Sequence, residues 1–477
     1  MKLLILSEDL WNDKLYPNNM MTNWFENFDG QLAHLYLSSG MPDNPCCSEY
    51  FQITDWMALK NLVKPKSGGK WFTSNGTDTT KHAAPSCTCI SAHAFCEAEV
   101  LCKHILHIGL RRNKAHKTGK GSLSALTPMR YFRIKKGIKL IFGGVLRLLR
   151  DAVWLKTDWK RSLLMEFLKE FKPDIIFSLR FSSRKVLYME RILHSVTGVP
   201  VVAFTGDDEY SLRQINLSPF YWIRRILLRR DISRNAAFYS KYYTLSEMQA
   251  KEFRKALGVE SSVLYKGGDF TKALEEKKLS KPIQMVYAGR LYCNRDKTLL
   301  SIARAIARIN REEVKITLEI YSRDRPGRRV RDAFNDGRSV FFKGFVSAEI
   351  LRRIYKETDI VLLAESFDLR NRLLTKYSFS TKTIDCLAST CAVIAVGPLS
   401  NEGIRYLKKN RGAICIGKKE EIYPVLSHIV SHPDKIEVCR RNAWRLGIKA
   451  HRKEEIRQCL HRDIAWVVKN VSVSNRI

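Results

Sequence analysis

Residues 173–204 read PDIIFSLRFSSRKVLYMERILHSVTGVPVVAF and contain a complete strand–helix–strand pattern. The two apolar runs, Pro173–Leu179 and Pro200–Phe204, are rich in β-branched and aromatic residues, and each begins at a proline. The residues between them have helical spacing and end at Gly198. Two strands joined through a helix pair in parallel. The segment therefore predicts a βαβ unit within a parallel α/β sheet.

The alternation of strands and helices extends in both directions from this unit. KLLILS at residues 2–7 reads as a first strand, and the second half of the chain repeats the alternation. The turn at 267–269 and the charged residues after it are typical of a linker. We predict two doubly wound α/β domains, 1–268 and 269–455, that face each other across a cleft, and a C-terminal helix at 456–477 that could return to the first domain.

The amino-acid composition argues against a disordered, a membrane-spanning and a disulfide-rich protein. The chain has 477 residues, a mass of 55.1 kDa and 45% hydrophobic residues, enough for two domain cores and too apolar for a wholly disordered chain. No apolar run reaches the roughly 18 residues of a membrane-spanning helix, and the first residues lack the pattern of a signal peptide. The twelve cysteines therefore favour reduced thiols in the cytoplasm over a disulfide scaffold.

The formal charge of +34 requires an anionic partner: nucleic acid, an anionic membrane or a phosphorylated substrate. The basic residues are densest from Arg130 to Arg161, where apolar residues from Ile134 to Leu155 recur at helical spacing. Such a stretch is typical of a helix that lies on the inner face of a membrane, and equally of a helix packed on a core with a basic outer side. A second basic stretch, Tyr221–Arg234, favours the membrane interpretation.

Residues 64–128 fit neither predicted domain and read as an irregular insertion. The insertion contains Cys87, Cys89, Cys96 and Cys102 together with several histidines. The cysteine spacing is irregular and does not match paired C-x2-C zinc ligands. We therefore expect reduced thiols there and no metal site.

The residues YSFSTKTIDCLASTCAVIAVGP, 377–398, hold the strongest candidate site. Ser380 or Thr381 is placed to cap a helix, and Lys382 lies in its first turn. A helix N-terminus beside a lysine is suited to bind phosphate, and Asp385, one turn on, could accept hydrogen bonds from a ribose. The alternative interpretation is an ordinary capped helix with a lysine–aspartate surface pair.

This segment resembles the donor-binding segment of GT-B glycosyltransferases, in particular the retaining family 4 enzymes of bacterial surface and capsular polysaccharide assembly. That family has two acids eight positions apart. Asp385 matches the second acid, whereas Tyr377 stands where the resemblance implies the first, and Glu365 could substitute for it from the preceding strand. The resemblance implies two Rossmann-like domains facing a cleft and a nucleoside-diphosphate sugar as donor.

Two further segments resemble the same family. In MVYAGRL, residues 285–291, Arg290 and the later Lys297 match positions that hold the donor diphosphate, where cations stabilise the departing negative charge; a salt-bridged loop is the alternative for Arg290. In TGVPVVAFTGDDEY, Asp207 and Asp208 follow a strand and could orient or deprotonate the acceptor, or cap a helix.

We therefore expect a hexosyltransferase-type enzyme that moves sugar to a saccharide or lipid-linked acceptor in polysaccharide biosynthesis. The resemblance implies retention, and without an Asp-x-Asp triplet near the donor segment we expect no metal and no cofactor. Two alternatives remain: an inactive GT-B subunit of an assembly complex, because Tyr377 replaces an acid, and a basic nucleic-acid-binding protein. No nucleic-acid-binding module is recognisable, so no nucleic-acid partner is expected.

Overall fold

The computed structural model describes residues 1–14, 19–63, 68–74 and 143–474. The cysteines predicted to be free of metal, and most of the insertion that contains them, lie outside the described residues, as does the basic stretch up to residue 142.

The strands in the described part of the chain are β1 (Lys2–Ser7), β2 (Gln31–Tyr36), β3 (Glu49–Gln52), β4 (Lys70–Thr73), β5 (Ile175–Arg180), β6 (Val201–Thr205), β7 (Tyr239–Thr244), β8 (Ser261–Val263), β9 (Ile283–Ala288), β10 (Ile316–Tyr321), β11 (Val340–Gly344), β12 (Ile360–Ala364), β13 (Ala392–Val396) and β14 (Ile414–Ile416). The α-helices there are Met20–Phe25, Asp55–Val63, 143–156, Leu163–Phe171, Arg184–Thr197, Pro219–Asn235, Glu247–Leu257, Arg295–Ile309, Arg328–Ala333, Ala348–Glu357, Leu369–Leu374, Lys382–Leu387, Glu402–Lys409, Ile422–Ser431, Asp434–Ala450 and Lys453–Ser474.

The predicted βαβ unit is confirmed as β5, the helix Arg184–Thr197 and β6. The helix ends as the sequence predicts: Gly198 adopts φ of +68°, and its N–H donates to His194 O at 2.8 Å. A left-handed residue at this position favours glycine because it has no Cβ.

The strands form two sheets. The first has the order β4-β3-β2-β1-β5-β6-β7-β8, in which β1 pairs in parallel with both β2 and β5. Its edge strand β4 pairs antiparallel with β3, a departure from the predicted parallel pattern. The second sheet has the order β11-β10-β9-β12-β13-β14 with parallel pairs throughout. Numbered from β9, this is the Rossmann order 3-2-1-4-5-6.

The chain divides into two compact units. One comprises Met1–Asn12, Asp29–Val201 and Asn216–Tyr239, and the other comprises Asp13–Phe28, Val202–Ile215 and Ser240–Ile477. The predicted domain boundaries at residues 268 and 455 stay a prediction.

Each unit has its own buried interior. In the first, Arg180 Nη1 donates to Glu190 Oε1 at 2.7 Å and to Tyr239 Oη at 2.7 Å, with all three side chains buried. In the second, one continuous hydrophobic core contains buried residues from β9, β10, β12 and β13, for example Met285, Leu318 and Ile394. The strands β12 and β13 are apolar on both faces, as expected where helices cover a parallel sheet, whereas β9 and β10 carry Gln284, Thr317 and Glu319 at less buried positions.

The apolar stripe of the helix at 143–156 is not its buried face, contrary to the core-packing alternative. Its buried side chains are Asp151 and Trp154, whereas Val145 and Leu148 of the predicted apolar stripe are only half-buried and Leu155 is exposed. The tertiary contacts of Asp151, which accepts from Arg224 Nε at 3.2 Å, decide the orientation. No helix within the described ranges has both the length and the apolar character needed to cross a bilayer.

Candidate functional site

The topological switch point of the second sheet lies between β9 and β12. In open α/β sheets, ligands bind at this point, beyond the carboxyl ends of the strands. The loop after β9 begins with Gly289 and Arg290, and the loop after β12 begins with Glu365. The chain order of the strands therefore brings together residues that are more than seventy positions apart in the sequence.

A buried ion pair joins these two loops. Arg295, the first residue of the helix after β9, donates from Nη2 to Glu365 Oε1 at 2.7 Å and from Nε to Oε2 at 3.2 Å. Burial opposes the charge of Arg295, but the Glu365 carboxylate outweighs it and raises the pKa of the guanidinium. Thr298 adds a hydrogen bond to Glu365 O at 2.9 Å. Glu365 is thus a positioning carboxylate whose two oxygens are engaged by one arginine.

Lys382 reaches the same loop from the helix Lys382–Leu387. A Cβ built on Gly289 would lie 2.3 Å from Lys382 Nζ, so the ammonium lies against the backbone of this loop and would have to shift if residue 289 carried a side chain. Burial, and then the positive charge of Arg295, lower the pKa of Lys382 from 10.5 to about 8. The ammonium is therefore largely buried and repelled by Arg295, an effect that the nearby carboxylates of Glu365 and Asp385 only partly offset, and an anionic ligand would stabilise its charge.

Arg290 and Lys297 lie on the exposed side of this edge, each with a side chain that is 58% exposed. Arg290 Nε donates to Asp324 Oδ1 at 2.8 Å, and the other Asp324 oxygen accepts from Leu291 N at 2.6 Å. Lys297 Nζ lies 3.8 Å from Asp368 Oδ2. A hydrogen bond from Asn294, together with the charge of Lys297, lowers the pKa of Asp368. Both cations thus have half-buried carboxylate partners, as the salt-bridged alternative for Arg290 predicts.

The helix start at Ser380 and Thr381 differs from the predicted phosphate seat. Thr381 occupies the N-cap position but has helical backbone angles, and its side chain makes no capping hydrogen bond. The backbone C=O of Ser380 accepts from Thr383 N at 2.9 Å. The helix is only six residues long, so its dipole is weak and Lys382 supplies the main positive charge.

Asp385 is engaged in a contact that the sequence did not indicate. Its Oδ1 accepts from Lys266 Nζ at 2.8 Å, and Lys266 is almost fully buried. Asp385 is therefore paired with the segment that precedes the predicted linker, a contact that neither interpretation of the sequence included.

Tyr377 is buried, and its hydroxyl contacts the guanidinium of Arg213. Burial, then a hydrogen bond with Glu252, raises the pKa of the phenol. Tyr377 stays neutral as a result. The position where the resemblance implies an acid thus holds a buried hydroxyl beside an arginine.

Asp207 and Asp208 organise the loop after β6. Asp208 accepts from Ser211 N at 3.0 Å and from Gln214 Nε2 at 2.8 Å. Asp207 is exposed, and its backbone C=O accepts from Gln249 Nε2 at 2.7 Å. No helix begins within residues 206–218, so Asp208 stabilises a loop and does not cap a helix, and both of its carboxylate oxygens are engaged within that loop.

Sequence reasoning missed Arg295, Asp324 and Lys266. The position of Glu365 could have predicted a partner such as Arg295. An acid at the end of the apolar strand β12 is expected to be buried, and a buried carboxylate requires a cation beside it. Nothing local to Asp385 or Arg290 indicated Lys266 or Asp324, since these pairs form across the fold.

A cavity of about 650 Å³ opens near the carboxyl ends of β13 and β14. It is lined by Phe367, Pro398 and Gly417 with cations such as Lys408 and Lys418, and none of the predicted site residues lines it. Within the described residues, no three His, Cys, Asp or Glu side chains are grouped so that they could hold a metal ion.

Comparison with solved structures identifies the architecture. HepE from Anabaena in complex with UDP is 12% identical, with a TM-score of 0.56 over 98% of this chain and 100% of that one. The chain has the GT-B fold. Sucrose-phosphate synthase from Thermosynechococcus elongatus (11% identity, TM-score 0.55, 99% of this chain and 100% of that one) and TarM (10%, 0.56, 98% of each) share it. No family model and no curated protein matches the sequence, so the family 4 resemblance stays a prediction.

Proposed function

We propose that the protein is a glycosyltransferase that moves a hexose from a nucleoside-diphosphate sugar to a saccharide or lipid-linked acceptor in surface polysaccharide biosynthesis. The observation that carries this proposal is the meeting of Lys382 with the Gly289–Arg290 loop at the switch point of a Rossmann-ordered sheet. The two HepE structures of the same fold that contain UDP and UDP-glucose make UDP the first nucleotide to test.

In this proposal the cations of the switch point bind the diphosphate. Cleavage of the bond between sugar and phosphate leaves negative charge on the departing diphosphate, and a fixed, poorly hydrated ammonium at Lys382 stabilises that charge. Arg290 and Lys297 exchange their carboxylate partners for phosphate oxygens, a rearrangement that costs little because both cations are exposed to solvent, which weakens the pairs. Positive side chains then take the role that a divalent cation plays elsewhere, with retention of configuration and no cofactor.

The remaining predicted residues have supporting roles. Glu365 fixes Arg295, which adds positive charge next to Lys382. A ribose contact by Asp385 requires that Asp385 loosen its bond to Lys266. Tyr377 offers a hydroxyl where the resemblance implies an acid, so it can donate a hydrogen bond to a donor sugar but cannot supply negative charge.

The first test is UDP binding by calorimetry, with wild type compared to Lys382→Ala. Loss of a fixed charge-assisted donor is expected to weaken binding by about 2–4 kcal/mol, roughly thirty- to a thousand-fold. The matched control is Lys449→Ala, an exposed lysine of the helix Asp434–Ala450. Equal affinity in wild type and Lys382→Ala would contradict the proposed diphosphate site.

A second test uses the glycine at the contact. Gly289→Ala places a methyl group where Lys382 Nζ lies and is expected to displace the ammonium and weaken UDP binding tenfold or more, while the fold is retained. Gly327→Ala is the control, because a Cβ there meets no atom within 4 Å.

Transfer is tested with a panel of nucleotide sugars. Release of nucleoside diphosphate that depends on Lys382 supports the enzyme proposal. Tight UDP binding without sugar release or transfer from any donor would instead assign the chain to the inactive-subunit alternative, which the buried hydroxyl at Tyr377 favours.

A further inference from the structure

Two helices of the first compact unit pack against each other, and we call them the basic helix pair: residues 143–156 and Pro219–Asn235. Arg224 Nε donates to Asp151 Oδ2 at 3.2 Å. At the other contact a Cβ on Gly144 would lie 2.6 Å from Phe220 Cβ, so the second helix approaches the first closely there. The pair therefore forms one structural element whose outer surface can be considered together.

The outer face of Pro219–Asn235 begins with exposed apolar side chains. Ile223 and Ile226 are 46% and 57% exposed and lie one turn apart, while Leu228 and Ile232 on the opposite side are buried. Leu217, two residues before the helix, is 98% exposed. Exposed apolar residues on successive turns are unusual for a face that only water covers.

The same face ends in cations. Arg230 and Arg234 are exposed on the turns after Ile226. The only acid of this helix, Asp231, points the other way and is buried, bonded to Arg184 Nε at 2.7 Å. On the partner helix, Leu149 is 54% exposed and Lys156 is also exposed.

We propose that the basic helix pair docks on an anionic lipid surface. Apolar side chains beside cations, without an exposed acid on the same helix, match the layers of such a surface, in which acyl chains lie beneath anionic headgroups. Tyr221 and Trp222, at the start of the helix, are half-buried aromatics of the kind enriched at this boundary. The charge complementarity selects a membrane over a neutral partner.

The basic helix pair lies beside the edge of the first sheet at which a ligand would bind. Arg224 Nη2 donates to Ser182 O at 3.1 Å, in the loop that follows β5. The pair therefore adjoins the carboxyl end of the first sheet, the edge at which α/β sheets bind ligands. An acceptor carried by a lipid would be presented at this edge. The docking itself does not depend on the proposed sugar transfer.

The test is co-sedimentation of the full chain with vesicles of phosphatidylcholine alone and of phosphatidylcholine mixed with phosphatidylglycerol. We expect wild type to pellet with the anionic vesicles only. The variant Leu217→Ser/Ile223→Ser/Ile226→Ser is expected to remain in the supernatant, and Arg230→Gln/Arg234→Gln to partition about fivefold less for each arginine removed. UDP affinity is expected to be unchanged in both variants, so failure of docking and failure of the donor site are distinguishable.

Matched controls separate docking from general charge or apolarity. Ile350→Ser/Val438→Ser and Arg329→Gln/Arg331→Gln change exposed residues of the same types on other helices and are expected to pellet like wild type. Three outcomes would overturn the proposal: wild type that ignores anionic lipid, as expected if a second copy covers the face; controls that lose binding equally; or pair variants that lose binding to duplex DNA but not to vesicles. Light scattering of the protein alone would detect the dimer that is expected if a second copy covers the face.

Discussion

Lys382 holds its charge in an environment that does not favour it. The ordinary pKa of 10.5 falls to about 8 through burial and the nearby Arg295. At neutral pH the side chain is still an ammonium, so an anion that binds there regains the interaction that burial removed. The lowered pKa therefore makes the proposed binding of a diphosphate at Lys382 depend on pH.

UDP affinity is expected to fall as pH rises from 8 to 9.5, by up to about tenfold per pH unit, because binding then requires Lys382 to take up a proton. The stability of the nucleotide-free protein is expected to change with pH in the opposite direction. Between pH 8 and 10.5 Lys382 is protonated in the unfolded chain but neutral in the folded one, so its contribution makes the free energy of unfolding rise with pH. Calorimetry and urea unfolding across this range measure both slopes. Lys382→Met should flatten both, and equal slopes in wild type and variant would contradict the assignment.

The Arg295–Glu365 pair makes a second prediction at this scale. Glu365→Gln leaves a buried guanidinium without its counter-charge and is expected to lower the free energy of unfolding by about 3–5 kcal/mol. The exposed pair Glu349–Arg353, at 2.8 Å, provides the control, since Glu349→Gln should cost about 0.5 kcal/mol or less.

The double variant Arg295→Met/Glu365→Leu tests the same pair from the other direction. Replacing both charges by apolar side chains is expected to recover much of the stability while UDP binding weakens, because Arg295 contributes positive charge near Lys382. Urea unfolding and calorimetry separate the two effects. A double variant as unstable as Glu365→Gln would show that packing, not charge compensation, dominates.

At the scale of elements, the helix Asp434–Ala450 depends on one glycine. A Cβ at Gly447 would lie 1.9 Å from Phe270 Cε1, and the Phe270 ring is also in edge contact with Trp444 at 5.2 Å between centroids. The aromatic ring therefore occupies the groove that Gly447 leaves in the helix surface.

Gly447→Ala is expected to destabilise the protein by about 1–3 kcal/mol because the ring must move, although alanine is the better helix former by about 1 kcal/mol. Gly143→Ala, in a helix where a Cβ meets nothing within 4 Å, should have a neutral or slightly stabilising effect. Thermal unfolding compares the two. If both substitutions changed stability in the same direction, the packing role of Gly447 would be wrong.

Elements were predictable wherever an apolar run is closed by a proline, a glycine or a polar residue that follows the strand, as for β5, β6 and β9. The antiparallel edge strand β4 carried no local signal of its direction. At the site, local sequence patterns were enough to propose Arg290, Lys297 and Lys382 as cations that bind phosphate. The ion pairs Arg295–Glu365 and Lys266–Asp385 were not predictable in this way, because their members are 70 and 119 positions apart. Such pairs depend on the order of strands, which a single sequence does not reveal.

For the molecule as a whole, each compact unit encloses a histidine that folding keeps neutral. Burial lowers the pKa of His34 to about 3 and that of His451 to about 4. His34 Nε2 lies 2.8 Å from Ser7 Oγ, and His451 Nε2 lies 2.8 Å from Tyr406 Oη. Within the described residues, Nδ1 of each ring has no hydrogen-bond partner that could hold an added proton.

These two histidines predict acid sensitivity. Below pH 6.5 both imidazoles are protonated in the unfolded chain but stay neutral in the folded protein. The free energy of unfolding therefore falls as pH falls, by up to about 1.4 kcal/mol per pH unit for each histidine, until pH approaches 3 to 4. Urea unfolding at pH 7, 6, 5 and 4 measures the slope, and His451→Gln, which can still hydrogen bond to Tyr406, should make it shallower. His432→Gln changes an exposed histidine and should leave the slope as in wild type. An unchanged slope in His451→Gln would mean that carboxylates with lowered pKa values, such as Glu26 beside Lys453, govern the acid limit instead.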